Sequence, residues 1–292
     1  MPALGPDSLV FNTTNIVSAG LREIVRAAVA GGYDAITVWP QDLRGLQAEG
    51  RDLADARRLI EDAGLVVADV DCLLTWSELV RPKPGEAMIE LLEEDAYFEV
   101  AEALGARSIN LTQGFGTELD YDRAAEDLAR VCDRAREHGL LVTYEFLPWS
   151  GVPDVAAALD LVTRTGRANA TILFDSWHWF RGAADIEMLR AIPGERIAST
   201  QWNDAPREAW ASLPEEAMRG RLLPGEGAIP LVELVRVLDE IGCRAPVGVE
   251  VIQARHETME PERVGRDTAA AMRGVLAEAR PGRANGKGVD RG

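Results

Sequence analysis

Four apolar segments between residues 141 and 251 each end with one oxygen-bearing side chain: Glu145, Asp175, Gln201 and Glu250. If these ends converge, three carboxylates in a partly dry site would repel one another strongly unless a cation lay between them. Oxygen ligands suit a hard divalent ion, so the pattern predicts one Mn²⁺ or Mg²⁺ site, with Co²⁺ or iron as weaker candidates. A lone strand glutamate is usually an ion-pair or capping residue, but four such residues at matching positions favour a shared site.

Two further polar residues lie close to these segment ends in the sequence. His178 follows Asp175 by three residues and is predicted to donate to a substrate oxygen or to orient Asp175, with packing among the neighbouring aromatic residues as the alternative. Arg255 follows the segment that contains Glu250, and it is a candidate for binding an oxyanion or hydroxyl of the substrate. Both predictions place a small polar molecule at the same end of the molecule.

Several of the seven tryptophans also fall at or just beyond predicted strand ends. Aromatic walls suit the apolar faces of a sugar or cyclitol ring and exclude water, although the same residues could simply pack the loops. The tryptophans at these positions are Trp39, Trp149, Trp177, Trp179 and Trp202, and substrate contact is predicted for all of them except Trp179.

The longest irregular stretch covers about 203–229, and long loops of this kind are usually functional. Asp204 and Arg207 near its start are predicted to contact substrate, and Arg221 could close over it together with Arg207. The glycines of PGEG (224–227) could form a weak phosphate-binding loop. The alternative is a turn that leads into a helix, with Pro230 in its first turn.

These residues are spaced by a repeated pattern of a short apolar run followed by an amphipathic helix. Runs that are apolar on both faces suit a parallel sheet covered by helices. Eight such units favour a single closed (β/α)8 TIM barrel over an open sheet, which would usually show a glycine-rich phosphate turn after the first strand. The predicted strands are 9–13, 35–39, 66–71, 108–112, 141–146, 171–175, 197–202 and 246–251.

Helices are predicted between and after these strands, and many of them end at glycine. Their approximate ranges are 18–32, 51–64, 86–104, 121–139, 154–166, 186–191, 230–242 and 261–279. The barrel is predicted to occupy residues 1–280, and the glycine- and charge-rich residues 281–292 are predicted to form a disordered tail.

Composition excludes several partners. The net charge of −17 disfavours nucleic acid, and the chain has no apolar run of the ~18 residues that a membrane helix needs. The first residues do not resemble a signal peptide, and three scattered cysteines suggest reduced thiols, so a cytoplasmic location is expected. The predicted partner is a small polyhydroxylated molecule, and a homo-oligomer is left open.

The segments YEFLP, FDSWHWFRG, QWNDAP, LLPGEG and VGVEV resemble the xylose-isomerase-like barrel superfamily, a group of sugar isomerases, epimerases, and inosose and dehydroshikimate dehydratases. The resemblance implies that Glu145, Asp175, Gln201 and Glu250 bind the metal, that the two glutamates form an acid/base pair, and that His178 binds substrate. Many isomerases and epimerases of the group have histidine in place of Gln201, whereas glutamine resembles part of the dehydratase branch. The histidine-rich, DNA-binding endonuclease relatives do not fit three histidines and a charge of −17.

The leading hypothesis is a metal-dependent isomerase or epimerase of a keto-sugar or cyclitol. The ion would polarise a carbonyl and a neighbouring hydroxyl, while one of Glu145 and Glu250 removes an α-proton and the other returns one through an enediolate. The second hypothesis is a dehydratase or other lyase, in which the same enolate expels water or a glycosyl group from the β-carbon. A non-catalytic barrel that binds a partner is the third hypothesis.

Overall fold

The computed structural model describes residues 4–17, 19–83 and 90–282. Its eight parallel strands close into a barrel in sequence order, with β8 paired to β1 through Phe11 and Val249. The predicted (β/α)8 barrel is confirmed, and each predicted strand boundary lies within two residues of the observed one. The strands are β1 Leu9–Phe11, β2 Ala35–Val38, β3 Val66–Leu73, β4 Ser108–Thr112, β5 Leu141–Glu145, β6 Ala170–Asp175, β7 Ile197–Trp202 and β8 Val247–Val249.

Eleven α-helices occur within the described residues, and the long ones cover the outside of the barrel. None of the described helices combines the length and apolarity that crossing a bilayer requires. Their bounds are α1 Leu21–Gly31, α2 Arg44–Ala48, α3 Leu53–Asp62, α4 Glu94–Leu104, α5 Tyr121–Glu137, α6 Val155–Arg164, α7 Ser176–Arg181, α8 Ile186–Arg190, α9 Leu213–Arg219, α10 Leu231–Glu240 and α11 Pro261–Ala279.

Helix α5 shows why these segments are helical. The Asp120 side chain caps its first turn by accepting from the Arg123 amide. Ala124, Leu128 and Val131 recur at helical spacing on its buried face, so packing against the strands stabilises the helix.

Two predicted segments differ from the structure. The helix expected over 86–104 is observed from Glu94 onward, because Thr75 donates to the Leu92 carbonyl and Arg81 pairs with Glu93, which keeps residues 90–93 outside the helix. The stretch expected to be irregular over 203–229 contains α9, whose N-terminus is capped by Ser212. Residues 84–89 and most of the predicted tail (283–292) lie outside the described residues.

The two faces of the barrel strands have opposite polarity. Outward-facing residues such as Phe11, Ile36 and Phe174 join the helices in the main hydrophobic core. The inner face is mainly polar, and the Ser199 hydroxyl of β7 reaches the Asp69 carboxylate of β3, a strand that is not its neighbour, at 2.8 Å. This contact can only pass through the barrel interior.

Candidate metal centre and active site

The four oxygen-bearing residues meet inside the mouth of the barrel. Glu145 ends β5, Asp175 ends β6, Gln201 is the penultimate residue of β7, and Glu250 directly follows β8. Successive side chains of a strand point to opposite faces, and all four residues occupy inward positions. None is more than 8% exposed, so the group is largely shielded from water.

The Gln201 amide lies at the centre of this group. One terminal atom of the amide lies 3.0 Å from Glu145 Oε1, 3.2 Å from Asp175 Oδ2 and 3.1 Å from Glu250 Oε2. The other lies 3.0 Å from Asn12 Nδ2. Hydrogen bonding is satisfied when the NH2 group of Gln201 faces the three carboxylates and its oxygen accepts from Asn12.

These residues fit a divalent cation. Oxygens that occupy adjacent positions around a small ion at about 2.1 Å are about 3 Å apart, close to the spacings between the Gln201 amide and the carboxylates. When all three carboxylates are ionised, they and the Arg221 guanidinium carry a net charge of −2, which a divalent ion would neutralise. Among the described residues, Glu145, Asp175 and His178 also offer ligand atoms within 4.8 Å of one another.

Arg221 is the cation that the structure itself places among the acids. Its Nη1 donates to Asp175 Oδ2 and to Glu250 Oε2, both at 2.8 Å, and its side chain is only 3% exposed. The guanidinium is held from behind because Nε donates to the Ala217 carbonyl of α9. Arg221 therefore partly compensates the carboxylate charge and fixes two carboxylates relative to each other.

The electrostatic surroundings distinguish the acids of the site. Burial raises the pKa of Glu250 to about 7, although Arg221 opposes this shift. Burial also acts to raise the pKa of Asp175, but Arg221 and His178 outweigh it, and the pKa is lowered. Beneath the group, burial raises the pKa of Asp71 well above its usual value, and Asp69, Glu250 and Glu145 add to the increase by charge repulsion.

Neutral side chains hold the two glutamates in place. Asn110 Nδ2 donates to Glu145 Oε2 at 3.1 Å, so this carboxylate is fixed from β4. Thr14 Oγ1 lies 2.8 Å from Glu250 Oε1 and 2.7 Å from the Asn12 side-chain oxygen. Each glutamate thus has its own support on a different side of the barrel mouth.

His178 and two tryptophans form one wall of the site. His178 Nε2 lies 3.3 Å from Glu145 Oε1, while its buried Nδ1 has no partner within the protein. Trp149 and Trp177 contact the imidazole edge-on, with ring centroids 5.6 and 5.2 Å away. At the end of β2, Trp39 is half-buried, and its indole Nε1 is a buried donor without a partner. The positions of His178, Trp39 and Trp149 are compatible with the predicted substrate contacts, which stay predictions.

The 203–230 segment is anchored to this wall by a buried ion pair. Glu216 of α9 accepts from Arg181 Nε at 2.8 Å and from Trp177 Nε1 at 3.0 Å. Arg181 also donates to the Pro206 carbonyl at 2.7 Å. Since Arg221 lies two residues beyond the end of α9, this pair positions the guanidinium as well as the Trp177 ring.

The structure contradicts the predicted substrate contact of Trp202. Its neighbour Gln201 points into the barrel, so strand alternation turns Trp202 outward into the core under the helices. There its ring packs on Phe174 at 6.0 Å, and its Nε1 donates to Thr200 Oγ1.

Asp204 is a loop anchor, which corrects its predicted role in substrate contact. Its carboxylate accepts from the backbone amides of Ala205, Gly225, Gly227 and Ile229 at 2.8–3.0 Å. The PGEG glycine amides are therefore already used, so the turn interpretation replaces the phosphate loop. A side chain at position 227 would collide with Asp204, which explains the glycine.

The remaining two predicted contacts lie on the surface. Arg255 is half exposed and pairs with Glu226 at 3.2 Å, so its guanidinium is engaged outside the carboxylate group. Arg207 is exposed on the 203–230 segment. The structure does not bring either residue to the four strand-end oxygens.

Sequence reasoning missed part of the site. Asn12 directly follows β1, and strand alternation with Val10 could have identified it as an inward residue. Asn110 and Asp71 could have been found by the same rule. For Arg221 the sequence predicts only that it could close over substrate, because no pattern in a long loop indicates which side chain turns inward.

A closed parallel barrel with inward-facing carboxylates and an amide at its mouth is a TIM barrel whose strand ends could hold a divalent ion. Comparison with known families places the chain more narrowly. Residues 25–275 match the family model described as the xylose isomerase-like TIM barrel, and the chain belongs to this family. The family resemblance found in the sequence is confirmed.

Known relatives include enzymes of two reaction types. The 3-dehydroshikimate dehydratase of Pseudomonas aeruginosa is 29% identical over 238 residues, which cover 80% of this chain but only 36% of that protein. The chain therefore spans about a third of the length of that relative. The inosose isomerase of Bacillus velezensis is 25% identical over 276 residues, which cover 90% of this chain and 96% of that protein.

The solved structure of the IOLI protein with a zinc atom has the same fold. Its TM-score is 0.80 at 20% identity, and the match covers 93% of this chain and 99% of that chain. The relatives named above are enzymes of this family, which disfavours the non-catalytic alternative.

Proposed function

We propose that the chain is a divalent-metal-dependent isomerase or epimerase of a keto-sugar or keto-cyclitol, with Glu145 and Glu250 transferring the protons. The observation that carries the proposal is the convergence of three carboxylates on the Gln201 amide at 3.0–3.2 Å. Burying such a group without a cation costs free energy, and the group is well suited to hold a cation.

Glu145, Asp175, Gln201 and Glu250 would hold the ion, with Mn²⁺ or Mg²⁺ as the preferred candidates. Zinc is a further candidate because a solved structure of the same fold contains a zinc atom. A bound ion would supply Lewis-acid polarisation of a substrate carbonyl and of its neighbouring hydroxyl. The choice of metal and the cytoplasmic location stay predictions.

The two glutamates are suited to the two steps of a proton transfer, removal of a proton from the substrate and return of a proton to it. Glu145 is held by Asn110 and lies beside His178, whereas Glu250 is held by Thr14 and Arg221. One glutamate takes the α-proton of the bound ketone, and the other delivers a proton to a different carbon or face of the resulting enediolate. The side chains that surround each carboxylate keep it oriented while it exchanges its proton.

Substrate hydroxyls would be recognised by the donors and rings around this centre. His178 Nδ1 and Trp39 Nε1 are buried polar atoms without protein partners, and such atoms usually find a partner in the functional complex. Trp149 is partly buried and would offer an apolar surface to a sugar or cyclitol ring, whereas Trp177 is fully buried behind it and supports Trp149 and His178 by packing.

A dehydratase or other lyase is the second candidate. It is supported by the glutamine at position 201 and by the similarity to a 3-dehydroshikimate dehydratase. The same base would form the same type of enolate, which would then expel a hydroxyl or glycosyl group from the β-carbon, with the other glutamate protonating the leaving oxygen.

Incubation of Mn²⁺-loaded protein with keto-sugars and keto-cyclitols in D2O tests both candidates. An isomerase or epimerase incorporates deuterium at carbon without a loss of mass, whereas a lyase releases water or an alcohol, and NMR with mass spectrometry separates these results. Glu145→Gln and Glu250→Gln should each lower kcat by about 10²–10⁴-fold, because a proton carrier is removed.

The matched control is Glu226→Gln, which neutralises a glutamate that is 47% exposed and pairs with Arg255. It should retain full turnover. Near-normal rates in either active-site variant, at a melting temperature equal to that of the parent, would refute the assignment of the glutamates.

A further inference from the structure

Asn12 is fixed in one orientation by the turn that follows β1. Its side-chain oxygen accepts from the Thr14 amide at 3.0 Å and lies 2.7 Å from the Thr14 hydroxyl. Its Nδ2 must therefore point the other way, into the barrel. There it lies 3.0 Å from the terminal amide atom of Gln201 and 3.5 Å from Asp71 Oδ2.

This orientation determines that of Gln201. Because Asn12 presents a donor, hydrogen bonding is satisfied when the Gln201 oxygen faces Asn12 and the Gln201 NH2 group, with its two hydrogens, faces the carboxylates of Glu145, Asp175 and Glu250. In this state Gln201 acts as a neutral substitute for a cation. A half-turn of the amide is needed before its oxygen can face an ion held by the carboxylates.

The half-turn of the Gln201 amide is energetically unfavourable because of the groups that surround it. After it, the NH2 groups of Gln201 and Asn12 would face each other at 3.0 Å, and each would lose a hydrogen bond within a buried site. Asn12 cannot turn to compensate without losing the hydrogen bond that its oxygen accepts from the Thr14 amide. Unsatisfied buried donors are among the more unfavourable groups in a folded protein.

We propose that Asn12 opposes metal ligation by Gln201 and thereby weakens the metal affinity of the site. The inference rests on the proposed metal-dependent function. Asn12 acts through Gln201 and is a positioning residue: it stabilises the carboxylate group without an ion and makes binding of an ion more readily reversible. Removing its donor should therefore strengthen metal binding, which is the opposite of what loss of an ordinary supporting residue would do.

Asn12→Ser is the most direct variant. Serine keeps a side-chain oxygen that can accept from the Thr14 amide, so the cap of the turn survives, while the donor opposite Gln201 is lost. Calorimetric titration of the metal-free full chain with Mn²⁺ should show about tenfold tighter binding than in the parent, because one unsatisfied donor no longer opposes ligation. Without metal, the same variant should unfold at a lower temperature than the parent.

Asn12→Asp is the second variant, and it keeps the inference testable if the serine variant does not fold. Its carboxylate would accept from the turned Gln201 NH2 group, so Mn²⁺ binding should be tightened further. The negative charge that Asn12→Asp adds would also attract cations. The uncharged serine variant separates this attraction from the effect on the orientation of the Gln201 amide.

Two controls separate the amide mechanism from a general loosening of the site. Asn110→Ser makes the same exchange at an amide that supports Glu145 and does not face Gln201, so it should not tighten Mn²⁺ binding. In the Gln201→Glu background, residue 201 has no NH2 group to oppose Asn12, so adding Asn12→Ser should no longer increase affinity.

The outcomes also distinguish this inference from the proposed function. If the parent binds Mn²⁺ and both Asn12 variants bind it equally or more weakly, the inference on Asn12 is wrong while the metal-dependent function stands. If neither the parent nor any Asn12 variant binds Mn²⁺, both fail. Tighter binding in the serine variant that disappears in the Gln201→Glu background supports the inference.

Discussion

The outer and inner faces of the same eight strands are built from different residues. On β6, Phe174 points outward and packs with Phe146 and Trp202, while its neighbour Asp175 points inward and contacts Arg221. The outer face removes apolar surface from water, which stabilises the fold. The inner face buries carboxylates, amides and hydroxyls that do not add comparable stability, which indicates that these groups are kept for chemistry.

The inner face is itself divided into two levels. At the lower level, Asp69 accepts from the hydroxyls of Ser108 and Ser199, so its carboxylate is satisfied within the protein. At the upper level, Asp71 Oδ1 and His178 Nδ1 are buried without partners. Satisfied groups at the lower level and unsatisfied groups at the upper level suggest a structural floor beneath a functional mouth.

The largest stability effect is expected on the outer face. Phe174→Ala removes a fully buried ring from the core and should lower the free energy of unfolding by about 3–5 kcal/mol. Chemical denaturation measures this loss. The control is Val29→Ala, at a side chain that is 52% exposed, which should change stability by less than about 0.5 kcal/mol. Equal effects of the two variants would show that burial of Phe174 on the outer face does not stabilise the fold.

A smaller effect is expected on the inner floor. Ser199→Ala removes a hydroxyl that lies 2.9 and 2.8 Å from the two Asp69 oxygens, and it should cost about 1–3 kcal/mol because a buried carboxylate loses a donor. The variant should retain kcat, since the floor is assigned a structural role. A stable variant with strongly reduced kcat would show that the floor takes part in catalysis.

The smallest expected effect is a pH dependence of stability at Asp42, on the rim of the barrel mouth. Unlike Asp175 and Glu250, Asp42 is not stabilised in its ionised form by Arg221. Burial raises its pKa from 3.8 to about 7, although bonds from Trp39 and Thr13 oppose the shift. The folded state therefore keeps a proton that the unfolded state releases, and this contribution to stability is lost as pH rises towards 7.

Comparison of Asp42→Asn with the parent isolates this contribution, since asparagine keeps an oxygen that can accept both bonds. From pH 6 to pH 8 the parent should lose about 1 kcal/mol of unfolding free energy relative to the variant. Urea unfolding at several pH values measures the difference. A constant difference across this range would contradict the shifted pKa.

The sequence predicts the barrel and the four strand-end residues because both depend on local patterns. Alternating strands and helices specify the fold, and one polar residue at each of the last four strand ends indicates the candidate ligands. The predicted substrate contact of Trp202 is wrong because the prediction uses only its position near a strand end. It does not take into account the face of the strand on which the side chain lies. The inward turn of Arg221 depends on the contacts of α9 with Arg181 and Trp177, which are distant in sequence.

We propose that the strand-end oxygens at the barrel mouth hold one divalent ion. Metal analysis and calorimetry of chelator-treated protein after addition of Mn²⁺ test it most directly, with Asp175→Asn as the comparison, because asparagine can still cap α7. We expect about one ion per parent chain, a higher melting temperature with Mn²⁺, and at least about tenfold weaker binding in the variant. No bound Mn²⁺ in the parent, or equal binding in the two proteins, would contradict the account.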